Sequence, residues 1–417
     1  MMLEPARPSS FDAAHLLRAS RHIYLVNAVV AFLFASTAPV AIVLTMGQQG
    51  KLTQTEIECW LFGAFFINGL ISLILCLLYR QPLIVLWTIP GTVLVGQALD
   101  HFTFAQIVGT YYATGMLLVV LGLSGWIGKC MSRIPMPVIM AMVAGVFLQF
   151  GLNLIFAIRD AAVIAGSMAM AFLLLSSLPR LARLLPPTIG ALLAGAMAIA
   201  WAGAFDLQAP VAWSFIRPKL YAPELSWAAM LELVLPLAIT VLAAQNAQGI
   251  AVLETAGHSP PVNVITTVCG VGSLLTAPFG SVPTCLTGPV NAILVSGGDK
   301  DRHYAAGVMM AFLVLFFGLL SPAFTQLMLA MPKGFVAALA GLSLLKVLER
   351  AFVVSFAGRF TFGALVSFLV AVANVPIFSI GAPFWAILIG SAVSWLLERT
   401  DFATAPVLDD QTGGPIR

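Results

Sequence analysis

The sequence predicts an all-α polytopic membrane protein with 14 transmembrane segments, arranged as two inverted repeats of seven. Three observations lead to this fold class. The chain is too apolar for a water-soluble protein, it contains long apolar runs separated by short polar connections, and a pattern of Gly and Pro in its first half recurs in its second half. Segments 3 and 10 are each predicted to be broken into a short strand plus a half-helix.

The composition excludes several classes of protein. Of the 417 residues, 60% are hydrophobic and 9% are charged, whereas soluble domains carry about 25% charged residues. This small number of charged residues cannot cover the exterior of a protein in water. The exterior must therefore be apolar and in contact with lipid. The basic residues are scattered singly between apolar runs, which excludes a nucleic-acid surface. The five cysteines form no CxxC or CxxH spacing, so neither a metal site nor a disulfide framework is expected.

Twelve continuous apolar runs each suffice for one membrane helix of about 20 residues. The first begins near Tyr24 and continues past Thr45, which is too long for a signal peptide, so we expect it to remain as a span. The runs cover 25–46, 57–79, 104–127, 135–157, 161–178, 185–204, 226–253, 262–278, 304–330, 334–348, 361–379 and 381–397.

Two further runs, 81–99 and 279–298, are apolar but interrupted by Pro and Gly, which indicates broken spans. Counting both gives 14 segments and, with the N-terminus in the cytoplasm, places 15 of the 20 Lys and Arg inside and 5 outside. This is the asymmetry of the positive-inside rule, and leaving out one broken span would reverse every later loop. We therefore expect a multi-pass protein of the inner (plasma) membrane, with an N-terminal arm (1–22) and a C-terminal tail (401–417) in the cytoplasm.

An internal repeat accounts for the number of segments. Gly and Pro positions recur at offsets of 195 to 198 residues, pairing Pro90-Gly91 with Gly288-Pro289, Met136-Pro137 with Met331-Pro332, and Gly195 with Gly390. Because each repeat holds seven spans, the second copy must be inverted in the membrane, as in many secondary transporters. The repeats extend over 23–205 and 226–400, and 206–225 is predicted to be a linker on the outer face.

Segment 3 has too many Pro and β-favouring residues between Pro82 and Pro90 for one continuous helix. We expect an extended stretch that includes Trp87, followed by a half-helix that opens at Pro90, Gly91 and Thr92. In this type of transporter the substrate site lies where the two broken segments meet.

Segment 10 repeats this pattern. Thr287 is a natural N-cap, and a half-helix would open at Gly288-Pro289 and continue through Asn291. Two helix N-termini would then face each other near the midplane, where unpaired N–H groups and positive dipole ends favour a carboxylate or another small anion. The alternative is that these Pro and Gly residues only kink continuous helices.

Three amides, Gln245, Asn246 and Gln248, lie deep in the apolar run 226–253. On a regular helix Gln245 and Gln248 share a face, with Asn246 about 100° from Gln245, so these side chains can line one side of a cavity and bind a substrate. The alternative is that they form hydrogen bonds between helices.

Other polar residues are weaker candidates. Ser36 and Thr37 in the first span could face the site, but such hydroxyls often bond their own helix backbone. Glu232 and the pair Asp100-His101 are expected at solvated ends of segments. No acid is placed at the midplane with certainty, so a carboxylate proton relay is not evident.

Three stretches resemble the signatures of the benzoate:proton symporter (BenE-type) family: Ala244 to Ala251, Ala277 to Gly280, and Leu86 to Gly91. The resemblance covers nearly the whole chain. It implies a transporter rather than an enzyme, without a cofactor, that takes up benzoate or a similar small aromatic carboxylate together with a proton.

That family is similar in fold to the uracil permease and to SLC26-type anion transporters. The similarity implies a core domain (25–127 and 226–330) that moves against a gate domain (128–205 and 331–400) by an elevator-type motion, in a homodimer. In the uracil permease, acidic or histidine side chains stand at the places like those of the three amides and of Pro289. Their replacement here fits an anionic substrate, but it leaves the proton-coupling residue unidentified.

Two other functions compete with symport. A passive anion channel or exchanger would use the same helix-terminal site, and a flux assay with a protonophore separates the two mechanisms. A membrane enzyme is disfavoured because no HExxH, paired Asp-rich loop, Ser-His-Asp arrangement or Walker motif occurs.

Overall fold

The computed structural model describes residues 3–6, 22–125, 135–178, 185–204, 213–375, 377 and 382–403. Within these residues the protein is a bundle of helices around one two-stranded sheet. Most of the predicted N-terminal arm and C-terminal tail lies outside the described residues, as do parts of the predicted linker and of three connections.

The two halves of the chain begin with the same order of elements, and the second half has two additional short helices. The first half consists of α1 (His22–Gln49), α2 (Gln54–Tyr79), β1 (Val85–Trp87), α3 (Ile89–Ala98), α4 (Phe104–Ser124), α5 (Met136–Asp160), α6 (Ala162–Ser177) and α7 (Pro187–Ala202). The second half consists of α8 (Trp227–Thr255), α9 (Val262–Thr276), β2 (Thr284–Leu286), α10 (Gly288–Leu294), α11 (His303–Leu319), α12 (Ser321–Leu329), α13 (Lys333–Phe356), α14 (Thr361–Ala373), α15 (Ala382–Leu397) and α16 (Arg399–Ala403). In each half a short strand and a short helix follow the second long helix.

Seven helices of the described chain are long and apolar enough to cross a membrane, or eight if α12 and α13 form one bent span. The seven are α1, α2, α4, α5, α8, α9 and α11. Four shorter apolar helices, α6, α7, α14 and α15, have 13 to 16 residues each. A mostly helical membrane protein is therefore confirmed, whereas the total of 14 segments stays a prediction.

The prediction of one continuous span over 304–330 is wrong in its last third. α11 ends at Leu319, and α12 is a separate helix with Pro322 in its first turn. Pro322 has no N–H to donate within a helix, and the first turn of a helix needs no such donor, so this proline fits the start of a new helix. α12 then meets α13 at an angle of 111°.

Helices α5, α13 and α14 pack closely through small residues. The Ser367 hydroxyl of α14 donates to the Val138 carbonyl of α5 at 3.0 Å, and Ala371, one turn further along α14, packs against Gly145, two turns further along α5. α14 therefore runs parallel to α5. At the start of α13, Gly334 packs against Ala161 at the end of α5, so α13 runs antiparallel to both.

The two strands pair antiparallel, with Val85 opposite Leu286 and Trp87 opposite Thr284. Because of this pairing, α3 and α10 leave from opposite ends of the small sheet. The sheet is buried, so its outer backbone groups need partners inside the protein. The Ser72 hydroxyl accepts from the Val85 N–H and donates to the Val85 carbonyl, both at 2.9 Å.

The described part of the predicted linker, 213–225, has no regular structure and crosses the ends of three helices. The Ile216 N–H donates to Leu319 at the end of α11 at 3.0 Å, and the Tyr221 N–H donates to Pro278, just after α9, at 2.7 Å. The Glu224 N–H donates to Ala105 in the first turn of α4 at 3.0 Å. These three helix ends therefore lie on the same side of the molecule.

Candidate functional site

A cavity of about 630 Å³ lies between the two short helices, the amide-bearing helix α8, and helices α5, α6, α7 and α13. This volume is in the range of sites for small organic molecules. Most of the wall is apolar, with side chains from α1, α5, α6 and α13: Phe34, Pro39, Ile42, Met136, Met140, Val143, Phe147, Phe172, Leu342, Leu344, Val347 and Val354.

The first turns of both short helices border this cavity. Ile89 and Pro90 of α3 and Pro289 of α10 are lining residues. The helices begin at Ile89 and Gly288, within one residue of the predicted starts. Each follows a strand and a threonine, and each has Pro in its first turn, so the order strand, threonine, helix occurs once in each half of the chain.

The two helix starts differ in how they are capped. The Thr88 hydroxyl accepts from the Gly91 N–H at 3.2 Å and donates to the Thr240 hydroxyl of α8 at 3.1 Å. The Thr287 hydroxyl makes no capping hydrogen bond to α10. Thr88 therefore follows β1 directly, caps the start of α3 and connects it to α8.

Two of the three amides of α8 face the cavity. Gln245 and Gln248 line it; Gln245 is 6% exposed, and its Oε1 has no hydrogen-bond partner among the described residues. Thr240 to Asn246 form a π-helical turn, a feature often found at functional sites, which the sequence did not reveal. A buried amide oxygen without a partner is costly, so this group is suited to a ligand.

Asn246 points the other way and supports the sheet. Its side chain is 2% exposed, and its Oδ1 accepts from the Leu286 N–H of β2 at 2.7 Å. Asn291 does the same for the residue just before β1: its Oδ1 accepts from the Ile84 N–H at 3.1 Å, and its Nδ2 donates to the Ile84 carbonyl at 3.0 Å. Both asparagines therefore satisfy backbone groups that a two-stranded sheet leaves open.

Of the twelve predicted binding residues, Pro90, Gln245 and Gln248 line the cavity. The other nine lie behind its surface: Ser36, Thr37, Trp87, Gly91, Thr92, Asn246, Thr287, Gly288 and Asn291. Several have other partners. The hydroxyls of Ser36 and Thr37 both donate to Leu33 of their own helix, and that of Thr92 donates to Thr88. A direct contact with substrate stays a prediction for all twelve residues.

Two glycines allow α8 to approach the start of α10. A Cβ atom at Gly288 would lie 2.7 Å from Gln248 Cγ, and one at Gly249 would lie 2.7 Å from Leu286 Cδ2. Such distances are too short for carbon atoms, so both positions need glycine or a shift of the neighbour. The predicted importance of Gly288 is thus explained by packing against Gln248.

Sequence reasoning missed most of the lining residues, because an aromatic or Met side chain in an apolar run carries no mark of function. It also missed Lys346 and Arg350 of α13, which border the cavity with exposed side chains. The sequence indicated only that both are cytoplasmic. Lys346 is bonded to Glu349 at 3.3 Å.

The expectation that Glu232 lies at a solvated helix end is wrong. Its side chain is 5% exposed and its carboxylate oxygens lie 3.0 and 3.1 Å from His101 Nε2. The pair lines a second cavity of about 180 Å³ at the other end of α3 from the first cavity.

Comparison with known proteins agrees with this geometry. Residues 19–396 match the family described as benzoate membrane transport protein. The chain belongs to this family. The chain is also similar to two curated proteins. The inner membrane protein YdcO of Escherichia coli (strain K12) is 29% identical over 371 residues. The benzoate membrane transport protein of Acinetobacter baylyi (strain ATCC 33305 / BD413 / ADP1) is 26% identical over 376 residues. The alignments cover 88% and 89% of this chain and 93% and 94% of those proteins.

The fold of this member of the benzoate transport family is similar to that of solved structures of other proteins. SLC26A9 matches with a TM-score of 0.63 at 14% identity, covering 89% of this chain and 65% of that chain. The transmembrane domain of the cyanobacterial bicarbonate transporter BicA matches with a TM-score of 0.58 at 17% identity, covering 94% and 100%. The protein is therefore a membrane transporter with an SLC26-like fold and not an enzyme, and the predicted family is confirmed.

Proposed function

We propose that the protein is a secondary active transporter that takes up benzoate or a similar small aromatic carboxylate with a proton. The observation that carries the proposal is the composition of the 630 Å³ cavity. Its walls are mostly apolar, with aromatic and Met side chains, and its polar groups are few: the amides Gln245 and Gln248 on the core side and, on the gate side, Ser176, Thr188, Ser343 and the exposed Lys346 and Arg350. A molecule with an apolar ring and one polar end fits this division.

The carboxylate would lie against Gln245 and the start of α3. Amide groups and a helix N-terminus stabilise an anion without a fixed positive charge. The cations that border the cavity among the described residues, Lys346 and Arg350, are exposed at its mouth. The ring would pack against Phe34, Phe147 and Met140, since aromatic and thioether groups make favourable contacts with rings.

The elevator mechanism is supported by where the cavity lies. One wall comes from α1, α3, α8 and α10, in the proposed core (25–127 and 226–330), and the other from α5, α6, α7 and α13, in the proposed gate (128–205 and 331–400). A displacement of the core relative to the gate would carry the polar wall with its bound anion across the membrane. The same order of elements at the start of both halves supports 14 segments in inverted repeats, for which α3 and α10 would each complete a broken span.

We propose that the protein lies in the inner membrane with both termini in the cytoplasm. This orientation places most of the Lys and Arg residues on the cytoplasmic side. The cavity mouth with Lys346 and Arg350 would then open to the cytoplasm. A homodimer is proposed from the family resemblance.

Uptake of labelled benzoate into proteoliposomes tests the function. An inward proton gradient should drive accumulation above the external concentration, and a protonophore should abolish it. A passive channel or exchanger would only equilibrate benzoate across the membrane. Competition by benzoate, cyclohexanecarboxylate, acetate and bicarbonate defines the substrate: we expect the ring-bearing acids to compete and the two small anions not to.

A further inference from the structure

The buried pair formed by Glu232 and His101 is not explained by the substrate site. Glu232 lies in the second turn of α8 and His101 lies three residues after the end of α3, so the pair joins the two halves of the chain. His101 Nε2 is 3.0 Å from the carboxylate, and the two side chains are 40% and 5% exposed. The carboxylate is therefore reached from solvent through the imidazole.

The pair faces helices of the proposed gate. Its cavity of about 180 Å³ is also lined by Asn374 after α14 and by Ala382 and Pro383 at the start of α15. The titratable side chains of this cavity are Asp100, His101 and Glu232, all on the core side; the described gate residues that line it carry none. Any net charge on these core side chains therefore faces gate residues that carry no charge.

The pair and the substrate cavity open to opposite ends of the bundle. Met136 and Met140, at the start of α5, border the substrate cavity, as do Arg350 and Val354, near the end of the antiparallel helix α13. Asn374 follows the C-terminal end of α14, which runs parallel to α5, so it lies at the other end. In this state the pair exchanges protons with one side of the membrane while the substrate exchanges with the other.

We infer that His101 and Glu232 form a proton-binding site that controls closure of the core against the gate on the side opposite the substrate cavity. With a neutral imidazole the pair has a charge of −1, which is costly to cover with uncharged protein. Binding of one proton to the imidazole gives an imidazolium–carboxylate pair with no net charge. The covered arrangement therefore becomes more stable when that side is acidic.

The inference rests on the proposed transport of aromatic carboxylates and adds that external pH controls its rate. The external solution, under the proposed orientation, sets the proton occupancy of this site, so external acid speeds closure behind the entering substrate. The site does not carry the transported proton, because in the described state it is open to the side away from the substrate.

The test measures initial uptake of benzoate at saturating anion concentration, with internal pH fixed and external pH varied between about 5 and 8, where histidine changes its charge. Wild-type uptake should increase as the external solution becomes more acidic, because a proton on the imidazole neutralises the pair. Glu232→Gln makes the pair neutral when the imidazole is neutral and +1 when it is protonated, so relative to the wild type its uptake should gain at alkaline external pH and lose this advantage in acid. His101→Gln leaves the carboxylate unneutralised, so its uptake should be slower than that of the wild type and should keep only the acid stimulation that the transported proton supplies. Glu224→Gln, an exposed carboxylate near the same end, should keep the wild-type pH profile.

The outcomes separate this inference from the proposed function. Wild-type protein that moves no aromatic carboxylate overturns both. Wild-type transport with unchanged pH profiles in both variants overturns only the inference, as does a Glu232→Gln variant that exchanges benzoate but no longer accumulates it, because the pair would then carry the transported proton. If Glu232→Gln fails to fold, the half-exposed position of His101 allows His101→Gln to decide by an acid stimulation smaller than that of the wild type.

Discussion

Gln245 is the side chain on which anion recognition depends in the proposed site. It is almost fully buried and faces the cavity, and its side-chain NH2 is the group that can donate to a carboxylate, while the nearest cations of the cavity stand at its mouth. A site of this kind binds a carboxylate by hydrogen bonds and helix polarity alone, so it is sensitive to any added negative charge.

Gln245→Glu changes this side chain to a carboxylate of nearly the same shape. At about 4 Å and an effective dielectric of about 20, two like charges repel by about 4 kcal/mol, so benzoate affinity should fall by up to about three decades at neutral pH. The loss should shrink in acid as the glutamate is protonated. Equilibrium binding of labelled benzoate, compared at equal anion concentration, measures both effects.

Gln48→Glu provides the control, because Gln48 is exposed in the last turn of α1, at the end of this span rather than at its centre. Its affinity should match that of the wild type. Equal affinities for Gln245→Glu and wild type at neutral pH would remove Gln245 from the anion site.

The neighbouring amides should separate into a binding and a structural role. Asn246→Ala leaves the Leu286 N–H of β2 without its partner, which costs about 1–3 kcal/mol of folding stability. Gln245→Ala removes an amide with no such partner and should lower benzoate affinity with little change in stability. Thermal unfolding in detergent, with and without benzoate, distinguishes the two; a larger loss of stability in Gln245→Ala would contradict the assignment.

At this scale the sequence predicted that polar side chains in an apolar helix are functional, and Gln245 and Gln248 do line the cavity. It could not separate them from Asn246 and Asn291, because the backbone groups that those two satisfy lie 40 and 207 residues away in the chain, respectively. Apolar lining residues such as Phe34 and Phe147 are indistinguishable in sequence from residues that face lipid or the core.

Among the elements, the short helix α3 connects the two polar sites. Its N-terminus borders the substrate cavity and its C-terminal end leads to His101, and at about 1.5 Å per residue its ten residues place the two ends about 15 Å apart. The Thr88 cap fixes where this helix starts and, through Thr240, how it sits on α8.

Thr88→Val should therefore loosen the site, while Thr88→Ser should not. Valine has the same shape but neither accepts from the Gly91 N–H nor donates to Thr240, and loss of an N-cap costs about 0.5–2 kcal/mol. Serine retains both hydrogen bonds. Benzoate affinity and unfolding temperature are measured for both variants, and a Ser variant as damaged as the Val variant would show that the methyl group matters instead.

The elements that the sequence predicted well are those marked by Pro, Gly and Thr. Both short helices begin within one residue of the expected positions, because proline restricts the backbone before it; at the start of α3, Thr88 also caps the first turn. The π-helical turn in α8 was not predictable, since it contains ordinary residues and reflects tertiary packing. The separate helix α12 was overlooked, although Ser321-Pro322 marks its start.

For the whole molecule, the proposed motion of core against gate makes a cavity residue reachable from alternate sides. Ala247 is exposed in the substrate cavity, whereas Cys59, Cys76, Cys269 and Cys285 are buried. In a Cys130→Ser background, Ala247→Cys should react with a membrane-impermeant thiol reagent from the cytoplasmic side, and benzoate should protect it.

Ala41→Cys is the control, because Ala41 is fully buried in α1 and should not react from either side. Reaction of Ala247→Cys from the outer side alone would contradict the proposed orientation. Labelling that benzoate leaves unchanged would place the substrate elsewhere.

At this largest scale, apolar periodicity and repeated Gly and Pro indicated the membrane class and the family. They carry no information on how the two halves lie against each other. That arrangement depends on contacts such as Gly145 with Ala371 and Ser367 with Val138, which become visible only when the helices are assembled.

The pairing of β1 with β2 has a consequence for how the chain is made. The partners Val85 and Leu286 are separated by about 200 residues, and so are Ile84 and the Asn291 amide that bonds it. While the ribosome is still synthesising the second half, the strand of the first half has no partner for its backbone groups, which is unfavourable in a lipid environment. Either water or the insertion machinery must shelter this stretch until its partner arrives, so the last structure to form during biogenesis should be the centre of the protein.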